Sequence, residues 1–216
     1  MEPLPSADMI VRIANAADLD FALPIVAEME ASAKARGTGI SKRDPEAIKK
    51  KIRQGKAIIA FTKDGVWAGF TYLEVYDQGR FVSNSGLIVP PAFRGLGVAA
   101  QLKQRLFDLC RFLYPQAKLF GITTGSAVMK INSKLGYTPV PYDEITHDTA
   151  FWKGCKSCVN YGILESKQFK NCLCTAMLFE PPKETYHADL ENHPTISEGW
   201  LVSASKELLL KNIISY

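Results

Sequence analysis

Apolar positions along the chain recur with two periods, every second residue or every third to fourth, and the switches between them mark the elements. Alternation in residues 9–13 (MIVRI) predicts a first strand, after which Asp18 or Asp20 can cap a helix whose apolar side carries Leu23, Ile25, Val26 and Met29. Gly37 and Gly39 then break the chain. In RDPEAIKKKIRQG (43–55), Asp44 is a ready N-cap, Pro45 fits the first helical position and Gly55 lies just past the end, so a short second helix is predicted. AIIAFT (57–62), the turn Lys63-Asp64-Gly65 and VWAGFTYLEVY (66–76) read as a hairpin. FVSNSGLIV (81–89) is the next strand, after a loop from Asp77 to Arg80.

Beyond a glycine-rich turn the period becomes helical: Val98, Leu102, Leu106, Leu109 and Leu113 share one face, and the run stops before Pro115. KLFGIT (118–123) predicts a strand, SAVMKINSKLG (126–136) a helix closed by Gly136, and YTPV (137–140) an edge strand. Residues 143–174 stand apart as a cysteine-rich insertion, and CTAMLFE (174–180) supplies one more strand before Pro181 and Pro182 end it. Residues 181–216 form a polar C-terminal extension with one apolar run, ELLLKNII (207–214), suited to covering a sheet edge or to docking on a second subunit, as in a homodimer. The order of elements is mixed rather than a regular strand–helix repeat.

A chain of 216 residues has room for one sizeable core. Its 47% hydrophobic and 22% charged residues are globular values, which excludes general disorder and fibrous classes. The net charge of +4 is mild, and apart from a cluster between Arg36 and Lys56 the bases are dispersed, which argues against a nucleic-acid binder and is compatible with a small anionic ligand. The start, MEPLPSADMI, lacks the basic and apolar regions of a secretion signal, and no stretch approaches the roughly 18 apolar residues of a membrane span. A cytoplasmic protein without membrane or nucleic-acid partners is expected.

The stretch GLIVPPAFRGLGVAAQLK (86–103) joins a strand to a helix through Arg94, Gly95 and Gly97. A helix start offers unpaired N–H groups and partial positive charge, and glycines let a phosphate approach them without a Cβ in the way. Arg94 adds a permanent charge that can hold two oxygens at once. The same glycines also suit a plain strand-to-helix turn. Gly95, Gly97 and Ala100 fit G-x-G-x-x-A, but a dinucleotide site wants an acid about 20 residues on, and no Asp or Glu occurs between Leu109 and Tyr142. A phosphate-binding P-loop fails too, since no Gly-Lys-Ser or Gly-Lys-Thr follows.

Arg94, Gly97 and Ala99 match the signature of the GNAT superfamily of acyl-CoA-dependent N-acyltransferases, which the chain resembles over roughly 9–142 and again at 174–180. VPPAFRGLGVA (89–99) is similar to the family's strand ending in Val-x-Pro-x-aromatic-Arg, and SKLGY (133–137) to its later helix closing on Gly-aromatic. The resemblance implies an α+β (mixed α/β) fold: a central twisted mixed sheet flanked by helices, spanning 1–180, with the cysteine-rich insertion before the last core strand. It implies two splayed central strands with acetyl-CoA as cosubstrate between them. The diphosphate would rest on Arg94, Gly95, Leu96, Gly97, Val98 and Ala99, and the pantetheine arm on backbone of Leu87, Ile88 and Val89. The strand packing of those three apolar side chains is compatible with that role.

In the implied reaction a neutral amine attacks the thioester, and a base removes its proton. Many relatives carry a carboxylate base on the strand before the cradle, whereas this chain has Ser83, Asn84 and Ser85. If Asp77 to Arg80 closes a regular hairpin, Tyr76 pairs with Phe81 and Glu74 faces Ser83, making Glu74 the preferred base, directly or through water; otherwise it is an exposed strand carboxylate. Ser83 and Asn84 complete the catalytic set. The position where relatives place a tyrosine acid is Asn132, which can hydrogen-bond the coenzyme but not act as acid. Tyr137 is assigned to the core. Arg36, Lys42 and Arg43, in ARGTGISKR (35–43), could seat a carboxylate of the acceptor or form a solvated basic loop. With FWKGC (151–155) this stretch also resembles a narrower group of amino-acid acetyltransferases that form N-acylglutamate for arginine synthesis, so the implied acceptor is a small amine such as glutamate.

Cys155, Cys158, Cys172 and Cys174 form C-x2-C-x13-C-x-C, a spacing that can wrap one tetrahedral zinc, with sulfurs at about 2.3 Å and no open position; free or redox-paired thiols are the alternative. His147, His187 and His193 are further possible ligands, and Cys110 lies inside the long helix. The missing strand carboxylate and tyrosine acid suit a second class of function: a catalytically idle, CoA-binding sensor or partner-binding protein with a zinc module.

Overall fold

Strand and helix periods fold much as the pattern dictates. The structure, a computed structural model, describes residues 9–37 and 41–182. Seven strands, β1 (Met9–Ile13), β2 (Ala57–Thr62), β3 (Trp67–Tyr76), β4 (Phe81–Ile88), β5 (Lys118–Thr123), β6 (Thr138–Val140) and β7 (Thr175–Phe179), form one sheet in the order β1-β2-β3-β4-β5-β7-β6. The first four make the predicted meander. β4 and β5 are parallel and every other pairing is antiparallel, so the sheet is mixed as expected.

Alternation along each strand sends side chains to two faces. On one face Ile58, Ala60, Leu73, Val82, Leu119 and Met177 pack against helix α3 (Val98–Leu113) through Leu102, Leu106 and Leu109. On the other, Ile59, Phe70 and Tyr72 meet α1 (Ala22–Arg36) and α2 (Pro45–Arg53) through Ile25, Met29, Ile48 and Ile52. Helix α4 (Ser126–Lys134) follows β5. The insertion is folded rather than a loop: a 3-10 turn at Tyr142–Glu144, α5 (Thr149–Gly154) and α6 (Tyr161–Ser166) lay Tyr142, Ile145, Leu164 and Phe151 on Tyr76, Phe120 and Leu178. Phe151 contacts Phe120 and Tyr76 edge to face, at ring separations of 5.0 and 5.5 Å.

The helix before the first glycine break begins differently from expectation. A 3-10 turn, Ala16–Phe21, precedes α1, and Asn15 caps it, accepting from the Ala17 amide. Asp18 is turned inward by Arg12, which holds both carboxylate oxygens at 2.7 and 2.8 Å, so neither Asp18 nor Asp20 is the cap. Leu23, assigned to the apolar side, is exposed. The expected homodimer contact in residues 207–214, and with it His187 and His193, lies outside the described residues. No helix among the described residues is long and apolar enough to cross a membrane.

Two features of the fold shape the centre of the molecule. β4 carries one extra residue against β3, since Tyr72 faces Ser85 while Phe70 faces Ile88; Gly86 takes the bulge at φ 63°, where a Cβ would stand 2.3 Å from the Tyr72 ring. The buried side of α3 also contains one charge, Lys103, which is 3% exposed. Burial pushes its pKa down to about 8, with neighbouring Cys110 opposing the shift. Between pH 8 and its ordinary value of 10.5 the unfolded chain therefore binds more protons at this residue than the folded one, and stability gains with rising pH. Cys110, pushed up to about 12 by burial, opposes this only above its ordinary value of 9. Urea midpoints measured from pH 7 to 9 are expected to rise in the wild type relative to Lys103→Met; parallel curves would contradict a buried, charge-penalised lysine.

Candidate functional site

β4 and β5 pair for three residues, Phe81 to Ser83 against Lys118 to Phe120, and then part. The gap opens a cleft of about 620 Å³ lined by Asn84, Leu87, Val89, Gly121 and Ala99, with the insertion and the α1–α2 linker at its other end. Parting leaves main-chain donors and acceptors of both strands without sheet partners, so this is a place where an extended ligand can be held by backbone.

The glycine turn leads from β4 to the start of α3 beside this cleft. Gly95 and Gly97 have φ of 81° and 80°, and a Cβ on either would meet nothing within 4 Å, so the turn presents open backbone. Gly97 is the N-cap and no side chain caps the helix, which leaves its first amides, those of Val98 and Ala99 among them, without intrahelical acceptors. Arg94 lines the cleft and is also bonded to the protein. Its Nε donates to the Val89 carbonyl at 3.0 Å and its Nη2 to Ser32 Oγ at 2.6 Å, with Glu28 at 3.4 Å. These bonds tie the end of β4 to α1. Leu87, Ile88 and Val89 all line the cleft.

On the α1/α2 face, the register expected from the loop is present: Tyr76 pairs with Phe81 and Glu74 with Ser83. Ser83 Oγ shares a hydrogen bond with Ser85 Oγ at 2.9 Å. Glu74 is held by Lys51 Nζ at 2.6 Å, a partner that sequence reasoning misses because α2 and β3 meet only in three dimensions. Asn84 does not join this group. As the next residue of the strand it points to the α3 face, where its Oδ1 accepts from Tyr137 OH at 2.6 Å and Lys103 Nζ at 3.2 Å, and its Nδ2 lies 3.4 Å from Cys110 Sγ. Tyr137 is buried as expected but anchors that asparagine, and burial raises its pKa far above the ordinary range.

Of the three bases assigned to the acceptor, Arg36 and Arg43 line the cleft and Lys42 does not. Arg43 Nε donates to Tyr72 OH at 2.7 Å and Nη1 to Ser41 O at 2.9 Å. The linker is bonded to the insertion: Ser41 Oγ donates to Gly154 O, and the Lys42 amide to Ser157 Oγ at 2.9 Å. Asn132 lines the cleft from α4, is 2% exposed, and has a buried Oδ1 with no hydrogen-bond partner.

Cys155, Cys158, Cys172 and Cys174 come together at the acceptor end of the cleft, around Tyr142. Burial, then the charges of the other thiols, pushes Cys155 up to about 11 and Cys174 up to about 12. The expected zinc cage is not formed: among the described residues no group of three or more His, Cys, Asp or Glu stands in metal-holding geometry. Cys172 Sγ instead donates to Asn160 O at 3.8 Å and Cys158 Sγ accepts from the Asn160 amide at 3.5 Å, while the aromatic cluster holds the insertion together.

No protein-family model matches the sequence and no curated protein matches it. Solved structures do. A Mycobacterium tuberculosis protein, Rv2747, crystallised with CoA and NLQ, superposes at a TM-score of 0.57 with 20% identity, covering 79% of this chain and 98% of that one. N-acetylglutamate synthase from Neisseria gonorrhoeae, complexed with coenzyme A and N-acetyl-glutamate, gives 0.58 and 16%, covering 82% of this chain but 36% of the synthase. A GNAT-family acetyltransferase from Listeria monocytogenes gives 0.53 and 14%, with 80% and 94% covered. At these identities the likeness is one of architecture, and in architecture the chain has the fold of the GNAT acetyltransferases.

Proposed function

We propose that the protein is an acyl-CoA-dependent N-acyltransferase, with acetyl-CoA as its simplest donor and the primary amine of a small carboxylate-bearing molecule, an amino acid such as glutamate, as acceptor. One observation carries this reading: an uncapped helix start with two open glycines stands at the mouth of a cleft made by two parting parallel strands. Amides and helix charge at Gly95 to Ala99 suit a diphosphate. The free edge at Leu87 to Val89 suits an amide-bearing arm. The ligands of the Mycobacterium tuberculosis and Neisseria gonorrhoeae proteins support a CoA donor and, for the second, glutamate chemistry.

On the acceptor side, Arg43 and Arg36 provide positive charge for a carboxylate. The amine nitrogen attacks the thioester carbon, a C–N bond forms and the C–S bond breaks with its electron pair leaving on sulfur. Glu74 takes the amine proton, directly or through water, once the substrate displaces Lys51 from its carboxylate. The Lys51–Glu74 pair also favours a second reading, a CoA-binding protein without turnover, because the lysine ammonium already occupies the carboxylate that would have to take the amine proton.

Thiol release from acetyl-CoA, assayed against a panel of amino acids including glutamate, separates the two. Turnover with at least one amine is expected, and CoA binding without turnover for any of them would leave the second reading. Gly97→Glu places an acid on the cradle and is expected to weaken CoA binding, measured by calorimetry, by at least about tenfold; unchanged affinity would refute the cradle. Glu74→Gln is expected to lower kcat by roughly 10²- to 10⁴-fold with little change in CoA affinity. A variant with wild-type kcat would show that the base lies elsewhere.

A further inference from the structure

One buried charge takes no part in the chemistry just described. Lys103 lines the cleft at the apex where β4 and β5 part, beside Asn84 and Gly121. Its ammonium has three protons to donate. Asn84 Oδ1 takes one at 3.2 Å, and the Tyr137 ring lies 5.5 Å from Nζ. No carboxylate pairs with it among the described residues. Burying an ammonium against neutral partners is costly, and a counter-ion supplied by a ligand removes that cost.

We propose that Lys103 is a specificity-determining residue that pairs with a carboxylate at the far end of the acyl chain, so that the preferred donor is the CoA thioester of a dicarboxylic acid rather than acetyl-CoA. The proposal rests on the acyltransferase reading and refines its donor. Position supports it. Val98, at the cradle, and Lys103 lie on the same helix, about 7.5 Å apart along its axis. An arm that starts on the cradle and follows the edge of β4 from Val89 inward brings its last atoms, those of the acyl group, to the apex. There the two faces of the sheet divide the partners, with Glu74, Ser83 and Arg43 on the acceptor side and Asn84 and Lys103 on the α3 side. A carboxylate has two oxygens to accept the protons that Asn84 leaves free. Its presence would also draw the Lys103 pKa back up from about 8, keeping the pair charged near neutrality.

The test compares kcat/KM for succinyl-CoA, malonyl-CoA and acetyl-CoA with one common amine, in the wild type and in Lys103→Met, with Lys103→Gln as a second variant should the first not fold. The wild type is expected to prefer one of the two dicarboxylic donors over acetyl-CoA by at least about tenfold, a difference of ~1.4 kcal/mol, and the variants are expected to lose or invert that preference. Ratios within each protein remove any common loss of stability. Equal losses with all three donors would overturn the proposal, since the ammonium would then serve the departing sulfur, which every donor shares. A wild type that prefers acetyl-CoA, or a ratio unmoved by the substitution, would also overturn it and leave the acyltransferase reading intact. If no donor turns over, calorimetric affinities of the same three thioesters decide on the same terms. Failure of CoA itself to bind would defeat the broader reading and this one with it.

Discussion

The parting of two parallel strands after three paired residues is the constraint from which the rest of the structure follows. A sheet that stops pairing in its middle exposes backbone polar groups where they would otherwise be buried, and such groups are tolerated only where a ligand or water can satisfy them. The layers on either side must then hold the halves of the sheet at a fixed separation. Helix α3 does so on one face with an apolar stripe interrupted by Lys103, and the insertion and α1/α2 do so on the other with separate clusters. The cleft is thus a consequence of strand geometry, and the glycine turn at its mouth needs only to keep side chains out of the way.

Much of this is legible in the chain. Helical spacing locates the main helices because each buries one face, and the central strands, buried on both faces, stand out as short apolar runs bounded by turn residues. The turn at Asp77 to Arg80 fixes the β3–β4 register, so the facing of Glu74 and Ser83 follows from counting residues outward from the loop. Gly95 and Gly97 are readable because a positive φ and an unfilled space are properties glycine alone supplies cheaply.

What is not legible depends on contacts far apart in sequence. Lys51 meets Glu74 across 23 positions, and Arg94 reaches Ser32 across 62, partners that no local motif announces. Adjacency groups Asn84 with Ser83, although the strand period sends neighbours to opposite faces. Lys103 sits in an apolar helix pattern where a lysine reads as solvated, and its burial emerges only from the polar partners around it. The cysteine spacing suggests a metal cage, but spacing says nothing of where sulfurs point, and the aromatic residues between them build a core of their own.

The bulge at Gly86 has a consequence for how such a protein can change. Upstream of it, residues 83 and 84 face opposite sides of the sheet within one cleft, so a single replacement alters the side chain offered on one side alone. Removing one residue from that ribbon would exchange what the two sides of the strand present, serine for asparagine. Point substitution is therefore the open route for divergence here, and length variation within the strand is a closed one.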